Sequence, residues 1–446
     1  MPGTGPSEGV LVVYTGGTIG SLPKDPRDPL SPLVPARLEE VMARLPGYFA
    51  DTSRMLISDH WIRLGTYSWP EPLDSSNVAM DDWKAMAELI RARYDEYEGF
   101  VILHGTDTLA YTASVLAFML ENLAKPVVLT GSQLPIGRAR SDAVQNLVTA
   151  VQIAAARSLG RTVVPEVCVF FRDELYRGCR TTKLSASSFN AFHSPNCEPL
   201  ARAGEHIAVR PPDVPAAERP HRLRVVTDLE PHIAAIDIFP GMSAELLQHM
   251  LAVEDLKGVV LRTFGTGNAP TRPDFLDAIG SAIARGKLIV DVTQCHAGEV
   301  ELGLYDSSAG LLARGVVSGL DMTTEAAIAK MSVVLGRERD LGVAADLMQL
   351  NLKGEQRQSI FHLHFGGGRV AAGGACALPV RRPMTEAERH YDPRLLDRAV
   401  LRILNLTGPG APGTRLRLRA FLDDPQAGPA TSTERNPRFL GLVDKE

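Results

Sequence analysis

Four short apolar runs constrain this chain more than any other feature. Residues 10–14 (VLVVY), 100–103 (FVIL), 126–129 (PVVL) and 166–171 (EVCVFF) are apolar without alternation. A strand with one face in water alternates polar and apolar residues, whereas an unbroken run is covered on both faces, as in a parallel sheet. Helical patterns at 81–94 and 109–123 lie between the runs, and a βαβα order predicts a doubly wound α/β domain over residues 1–205. The segment 210–220 (RPPDVPAAERP) cannot form a helix or central strand and places a linker at 206–224. A second, smaller doubly wound α/β domain follows at 225–352. Its strands are predicted at 234–238, 258–261, 288–292 and 316–318, and its helices at 244–251, 272–284 and 324–335. From 353 to 446 the pattern becomes short alternating runs such as SIFHLHF and RLRLRAF, which predicts a small β-rich C-terminal extension.

Composition excludes several classes of function. No apolar run reaches the ~18 residues of a membrane span, and the N-terminus MPGTGPSEGV has none of the parts of a signal peptide. The five cysteines (Cys168, Cys179, Cys197, Cys295 and Cys376) are scattered with no C-x-x-C, which speaks against both a disulfide framework and a zinc site. A cytoplasmic location is expected. The net charge of −5 is unevenly spread: residues 353–446 carry 15 basic and 10 acidic side chains, or +5, which leaves −10 on the rest. Without basic clusters interleaved with aromatics, that tail reads as a docking surface for its own body or a sister subunit, and nucleic acid is not expected as a partner. His362 and His364 share one face of a strand-like run but have no third ligand beside them, so they read as ordinary strand residues and no metal is expected.

In open α/β sheets, ligands bind beyond the carboxyl ends of the strands, where loops diverge and main-chain N–H groups converge. Here those ends are rich in glycine and hydroxyl groups. TGGTIG follows the first run, HGTDT the second and TGSQ the third, and RTTK comes after the fourth and its loop. Gly16 and Gly17 allow positive φ and a close approach to a ligand, and Thr18 follows them. A threonine hydroxyl attacks only once a base has taken its proton. Thr106 beside Asp107 supplies a second hydroxyl and a carboxylate. Lys183 supplies an amine able to act as a base when desolvated. Taken singly, each motif has a plainer explanation: a glycine turn, a helix cap, a solvated lysine. Four such ends in one domain point to an enzyme acting on a small molecule. His104 reads as a structural hydrogen-bonding group, and Cys295 as a buried thiol.

These residues, in this order, resemble the type I (cytoplasmic) bacterial L-asparaginases. The resemblance rests on YTGGTIG (14–20), DSSN (74–77), GFVILHGTDTLAYTAS (99–114), TGSQLPIGRARSDAVQN (130–146), LYRGCRTTK (175–183), FPGMSAE (239–245), LRTFGTGNAP (261–270) and TQC (293–295). It implies hydrolysis of L-asparagine to L-aspartate and ammonia through a covalent acyl-threonine, without cofactor or metal. It also implies Thr18 as nucleophile, with Thr106, Asp107 and Lys183 as a second triad. Asp74, Ser75 and Ser76, with Asp107, would hold the α-amino and α-carboxylate groups, and Ser132 the side-chain amide. Asn268 would complete a neighbouring subunit's pocket in a homodimer or homotetramer. Thr182 and Arg262 match positions at which some members bind a second asparagine as activator.

Two features depart from the family. The loop after Thr18 (SLPKDPRDPLSPLVP, 21–35) is long and proline-rich and lacks the tyrosine expected there, for which Tyr48 and Tyr67 are conceivable stand-ins. The extension after 352 has no counterpart in the two-domain family. The alternatives to asparagine hydrolysis are an amidase for glutamine or a larger amide, of the tRNA-dependent amidotransferase kind, or an asparagine-binding regulatory protein of low activity.

Overall fold

All four apolar runs become strands of one nine-stranded sheet, at Gly9–Gly16, Gly99–Leu103, Val127–Thr130 and Val167–Phe171. The computed structural model describes residues 9–25, 27–28, 30–42, 53–57, 60–158, 161–210, 222–357, 416–421 and 439–445. Gly9–Gly16 lies between His60–Leu73 on one side and Gly99–Leu103 on the other, parallel to both. Gly99–Leu103 continues in parallel to Val127–Thr130, and that strand to Val167–Phe171. Their carboxyl ends therefore share one edge. Gly9–Gly16 is where the chain order reverses, and such a point opens a crevice between diverging loops. Antiparallel strands finish the sheet at Glu174–Arg177, Ala201–Ala203 and Ile207–Val209.

The second sheet is parallel, in the order Ile233–Asp237, Gly258–Thr263, Leu288–Thr293, Val317–Ser318. Both sheets belong to one compact unit, Met1–Gln358. Helix Leu109–Met119 is buried over almost its whole circumference, as an apolar helix inside a core must be. It shares a core cluster with Ala326, Ala327, Met331 and Val334 of helix Thr324–Arg337 and with Val260 and Val290 of the second sheet. Among the described residues no helix is long and apolar enough to cross a membrane.

The other unit, Ser359–Glu446, contributes an antiparallel pair, Leu416–Phe421 with Phe439–Lys445. The linker segment 211–220, Cys376 and the strand expected at 359–365, with His362 and His364, lie outside the described residues.

Asp291, fully buried in the second sheet, accepts a bond from Thr263 Oγ1 at 2.7 Å, and its Oδ2 has no partner among the described residues. Burial pushes its carboxyl up to about 8, against the Thr263 bond. The folded state therefore holds a proton that the unfolded chain releases near pH 4, and stability falls as pH rises between those values. Asp291→Asn, a neutral mimic, is expected to raise the melting temperature by on the order of 5 °C at pH 8.5 and to lose that gain toward pH 4.5. An equal gain at both pH values would show that the carboxyl is not protonated in the fold.

Candidate active site

The crevice is built by main chain meeting main chain. Gly17 N–H donates to Leu73 O at 2.9 Å, which joins the first strand-end loop to the second. Gly17 has φ +85°, and a Cβ there would fall 2.3 Å from Gly105 Cα, so the first and third loops touch in a way only glycine permits. Thr18 and Thr106 each follow directly on that Gly17–Gly105 contact. Thr18 opens the short 3-10 turn Thr18–Gly20 and is half-buried, whereas Thr106 is buried.

Lys183 links the second hydroxyl to a carboxylate. Its Nζ donates to Thr106 Oγ1 at 2.8 Å and to Asp107 Oδ1 at 2.7 Å. The Lys183 side chain is largely enclosed, and Asp107 faces solvent. The three residues read as a second triad are therefore in hydrogen-bond contact. Asp74 caps the turn Ser75–Asn77, its Oδ1 accepting from Ser76 N–H at 2.9 Å and Ser76 Oγ at 2.8 Å. Those two bonds hold its carboxyl below the usual range, so it stays anionic, as a partner for an ammonium group must. Ser75 is buried, and its carbonyl accepts from Thr108 Oγ1 at 2.7 Å. Ser132 is buried, and its Oγ donates to Leu134 O at 2.6 Å. The loop around Ser132 is fixed by Asp142, which accepts from the N–H groups of Gln133 and Leu134, and by Asn146 Nδ2, which donates to Gly131 O.

His104 is a structural residue, as its place at a strand end suggests. It is buried, and desolvation drives its pKa down to about 4, so it is neutral. Its Nδ1 lies 2.7 Å from Gly105 O. A carbonyl can only accept, which assigns the proton to Nδ1. The other nitrogen, Nε2, then accepts from Thr112 Oγ1 at 3.0 Å, and that hydroxyl accepts from Trp83 Nε1 at 2.9 Å. With the Gly105 carbonyl held on this side, the N–H of the same peptide, that of Thr106, points the opposite way. Among the described residues no group accepts that N–H.

The remaining expected residues sit elsewhere. Thr182 Oγ1 donates to Glu325 Oε1 at 2.8 Å, and Arg262 Nη1 donates to Asp237 at 2.8 and 3.0 Å. The two are not bonded to each other, but Glu325 and Arg262 are in electrostatic reach of one another and of Tyr111. Asn268 Oδ1 accepts from Ser307 Oγ at 2.7 Å at the end of a second-sheet strand. Tyr67 packs edge-on against Trp69, and Tyr48 lies outside the described residues. The proline-rich loop is an antiparallel hairpin, Ser21–Pro23 against Leu33–Pro35, with Ala36 N–H bonded to Gly20 O at its base. One expectation is corrected. Cys295 is exposed, because it lies in the loop beyond Leu288–Thr293 and not within the strand.

Sequence reading missed Asp321 and Glu325, which bond to Arg180 and Thr182 beside Lys183. Arg180 appeared there only as the first residue of RTTK, with no role assigned to it.

Comparison with known proteins follows the same division of the chain. Residues 9–214 match the family described as asparaginase, N-terminal, and residues 232–348 the glutaminase/asparaginase C-terminal domain. L-asparaginase 1 of Escherichia coli is 40% identical over 349 residues, 78% of this chain and 98% of that one. The human 60 kDa lysophospholipase is also 40% identical, over 79% of this chain and 62% of its own. The crystal structure of L-asparaginase I from Vibrio cholerae superposes with a TM-score of 0.67 at 36% identity, covering 78% of this chain and 99% of that one. With both sheets matched and the glycine and hydroxyl loops at the strand ends in place, the chain belongs to the asparaginase family.

Proposed function

We propose that this protein is a cytoplasmic enzyme that hydrolyses L-asparagine to L-aspartate and ammonia, with Thr18 as nucleophile. The observation that carries this reading is the Thr106–Lys183–Asp107 chain beside Thr18. Thr18 Oγ attacks the side-chain amide carbon and its proton passes to the leaving nitrogen. The C–N bond breaks, ammonia departs, and an ester to Thr18 remains. Thr106, relayed through Lys183 to Asp107, takes a proton from the water that attacks this ester. The ester C–O bond then breaks, aspartate leaves and Thr18 regains its proton. Asp74, Ser75, Ser76 and Asp107 hold the α-amino and α-carboxylate groups, and Ser132 lies beside the amide. The Thr106 N–H stabilises the oxyanion at each step, a contribution of about 3–4 kcal/mol for one such donor.

The domain holding Thr18 (1–205) carries the chemistry, and the domain at 225–352 closes a pocket by presenting Asn268 to a partner copy. Of the extension at 353–446, residues 353–357 pack with the body, and the unit from Ser359 on is an added module outside the reaction. Thr182 and Arg262 form an activator site for a second asparagine.

Steady-state ammonia release from both amides tests the reading. Asparagine is expected to exceed glutamine in kcat/KM by about 10–200-fold, the worth of one methylene in a fitted pocket. An occupied activator site would make the asparagine curve sigmoidal. Asparagine binding by calorimetry without ammonia release would instead identify a regulatory protein.

A further inference from the structure

Lys183 stands on a strand of two residues. Thr182–Lys183 pairs with Phe192–His193, and the N–H groups of Leu184 and Ser185 then close on Ala191 O, a ladder too short by itself to hold a flexible side chain to the few tenths of an ångström that catalysis needs. Alternate side chains of a strand point to opposite faces, and here they do so with purpose. Lys183 reaches Thr106 and Asp107, while Thr182 reaches Glu325 on helix Thr324–Arg337.

A stronger attachment comes just before. Arg180 closes the turn Gly178–Arg180, and its guanidinium is buried. Its Nη1 donates to Asp321 Oδ2 at 2.8 Å and its Nε to Gly354 O at 2.8 Å. Asp321, equally buried, also accepts from Arg357 N–H at 2.6 Å through Oδ1. On the other leg of the hairpin, Asn196 Nδ2 donates to Asp321 O and Gly298 O, each at 3.1 Å, and its Oδ1 accepts from Gly298 N–H at 2.9 Å. Both legs of the hairpin that carries Lys183 are thus gripped by one stretch of the second domain, Asp321 to Glu325.

We propose that the buried Arg180–Asp321 pair is a positioning device that sets the location of Lys183, so that the second domain holds the proton relay in register. A buried ion pair is poor value as a stabiliser, since apolar residues of equal volume often do as well. What it supplies here is direction: two oriented contacts fix the backbone three residues from the lysine. The proposal rests on reading Lys183 as part of the reaction.

Asp321→Asn keeps the volume and the acceptor for Arg357 N–H, and it removes the charge together with the acceptor for Arg180 Nη1, where an amide N–H now faces the guanidinium. In the full chain it is expected to lower kcat for asparagine about tenfold with KM within about twofold, since sub-ångström misplacement costs rate more than binding. In a Lys183→Met background, where only residual turnover is left, the same substitution is expected to change turnover by less than about twofold, because residues acting as one unit are not additive. Wild-type kcat in a folded Asp321→Asn protein would overturn the proposal, and so would a tenfold loss persisting in the Lys183→Met background. Full turnover in Lys183→Met alone would fail the underlying reading of Lys183, and the proposal with it. If Asp321→Asn does not fold, Arg180→Lys, which keeps the charge and loses the Gly354 contact, is read in the same two backgrounds.

Discussion

Replacing Thr18 by alanine is expected to lower asparagine turnover by at least about 10³-fold while leaving the fold intact, the scale seen when a covalent nucleophile is removed. The side chain is half-buried on a three-residue turn, so its loss opens little cavity and the circular dichroism spectrum and melting temperature should hold. Thr106→Val keeps the shape and deletes the hydroxyl that Lys183 Nζ reaches at 2.8 Å, and should cost about 10²–10⁴-fold, the range of a lost proton-transfer partner. The double variant is expected to fall no lower than Thr18→Ala alone, because with no ester formed the relay has nothing to act on. Ammonia release at saturating asparagine measures all three. Turnover within tenfold of wild type in Thr18→Ala would move the nucleophile elsewhere.

The second large effect is on stability. Lys330 and Glu355 form an ion pair at 2.7 Å with both side chains fully buried. Lys330 Nζ also donates to Met348 O at 2.9 Å and to Leu350 O, and Glu355 accepts from Leu352 and Lys353 N–H at 3.0 and 2.7 Å. Burial opposes ionisation of Glu355, but the Lys330 charge and these N–H groups outweigh it and hold its carboxyl below the usual range. Lys330→Met leaves that carboxylate without a counter-charge and is expected to cost about 3–5 kcal/mol, whereas Lys330→Met with Glu355→Leu should recover most of the loss. Denaturant midpoints decide it. If the double variant is as unstable as the single, the segment is held by its backbone bonds and not by charge balance.

These two cases mark what a linear sequence reveals. The central strands were legible because burial on both faces leaves an unbroken apolar run. His60–Leu73 was not, since HWIRLGTYSWPEPL carries charges and two prolines and is covered only in part. Thr18, Thr106, Asp107 and Lys183 were legible because each is the conspicuous residue of a short local motif. The Arg180–Asp321 pair was not, because its members meet across 141 residues, so Arg180 showed in RTTK without its partner. Cys295 misled for a related reason: it reads as a strand residue, and the chain leaves Leu288–Thr293 before reaching it.

The meeting of Gly17 with Gly105 has a consequence for how such a protein can diversify. The floor of the crevice is polypeptide backbone, identical in every amino acid, and the closest contacts in it exclude any Cβ. Mutation has nothing to vary there without breaking the floor itself. A lineage exploring new amides must therefore write its changes on the rim, in the hairpin of Ser21–Pro23 and Leu33–Pro35 and in the Ser75–Asn77 turn. The reaction is inherited as a fixed geometry, and the choice of substrate is left to the parts that stand around it.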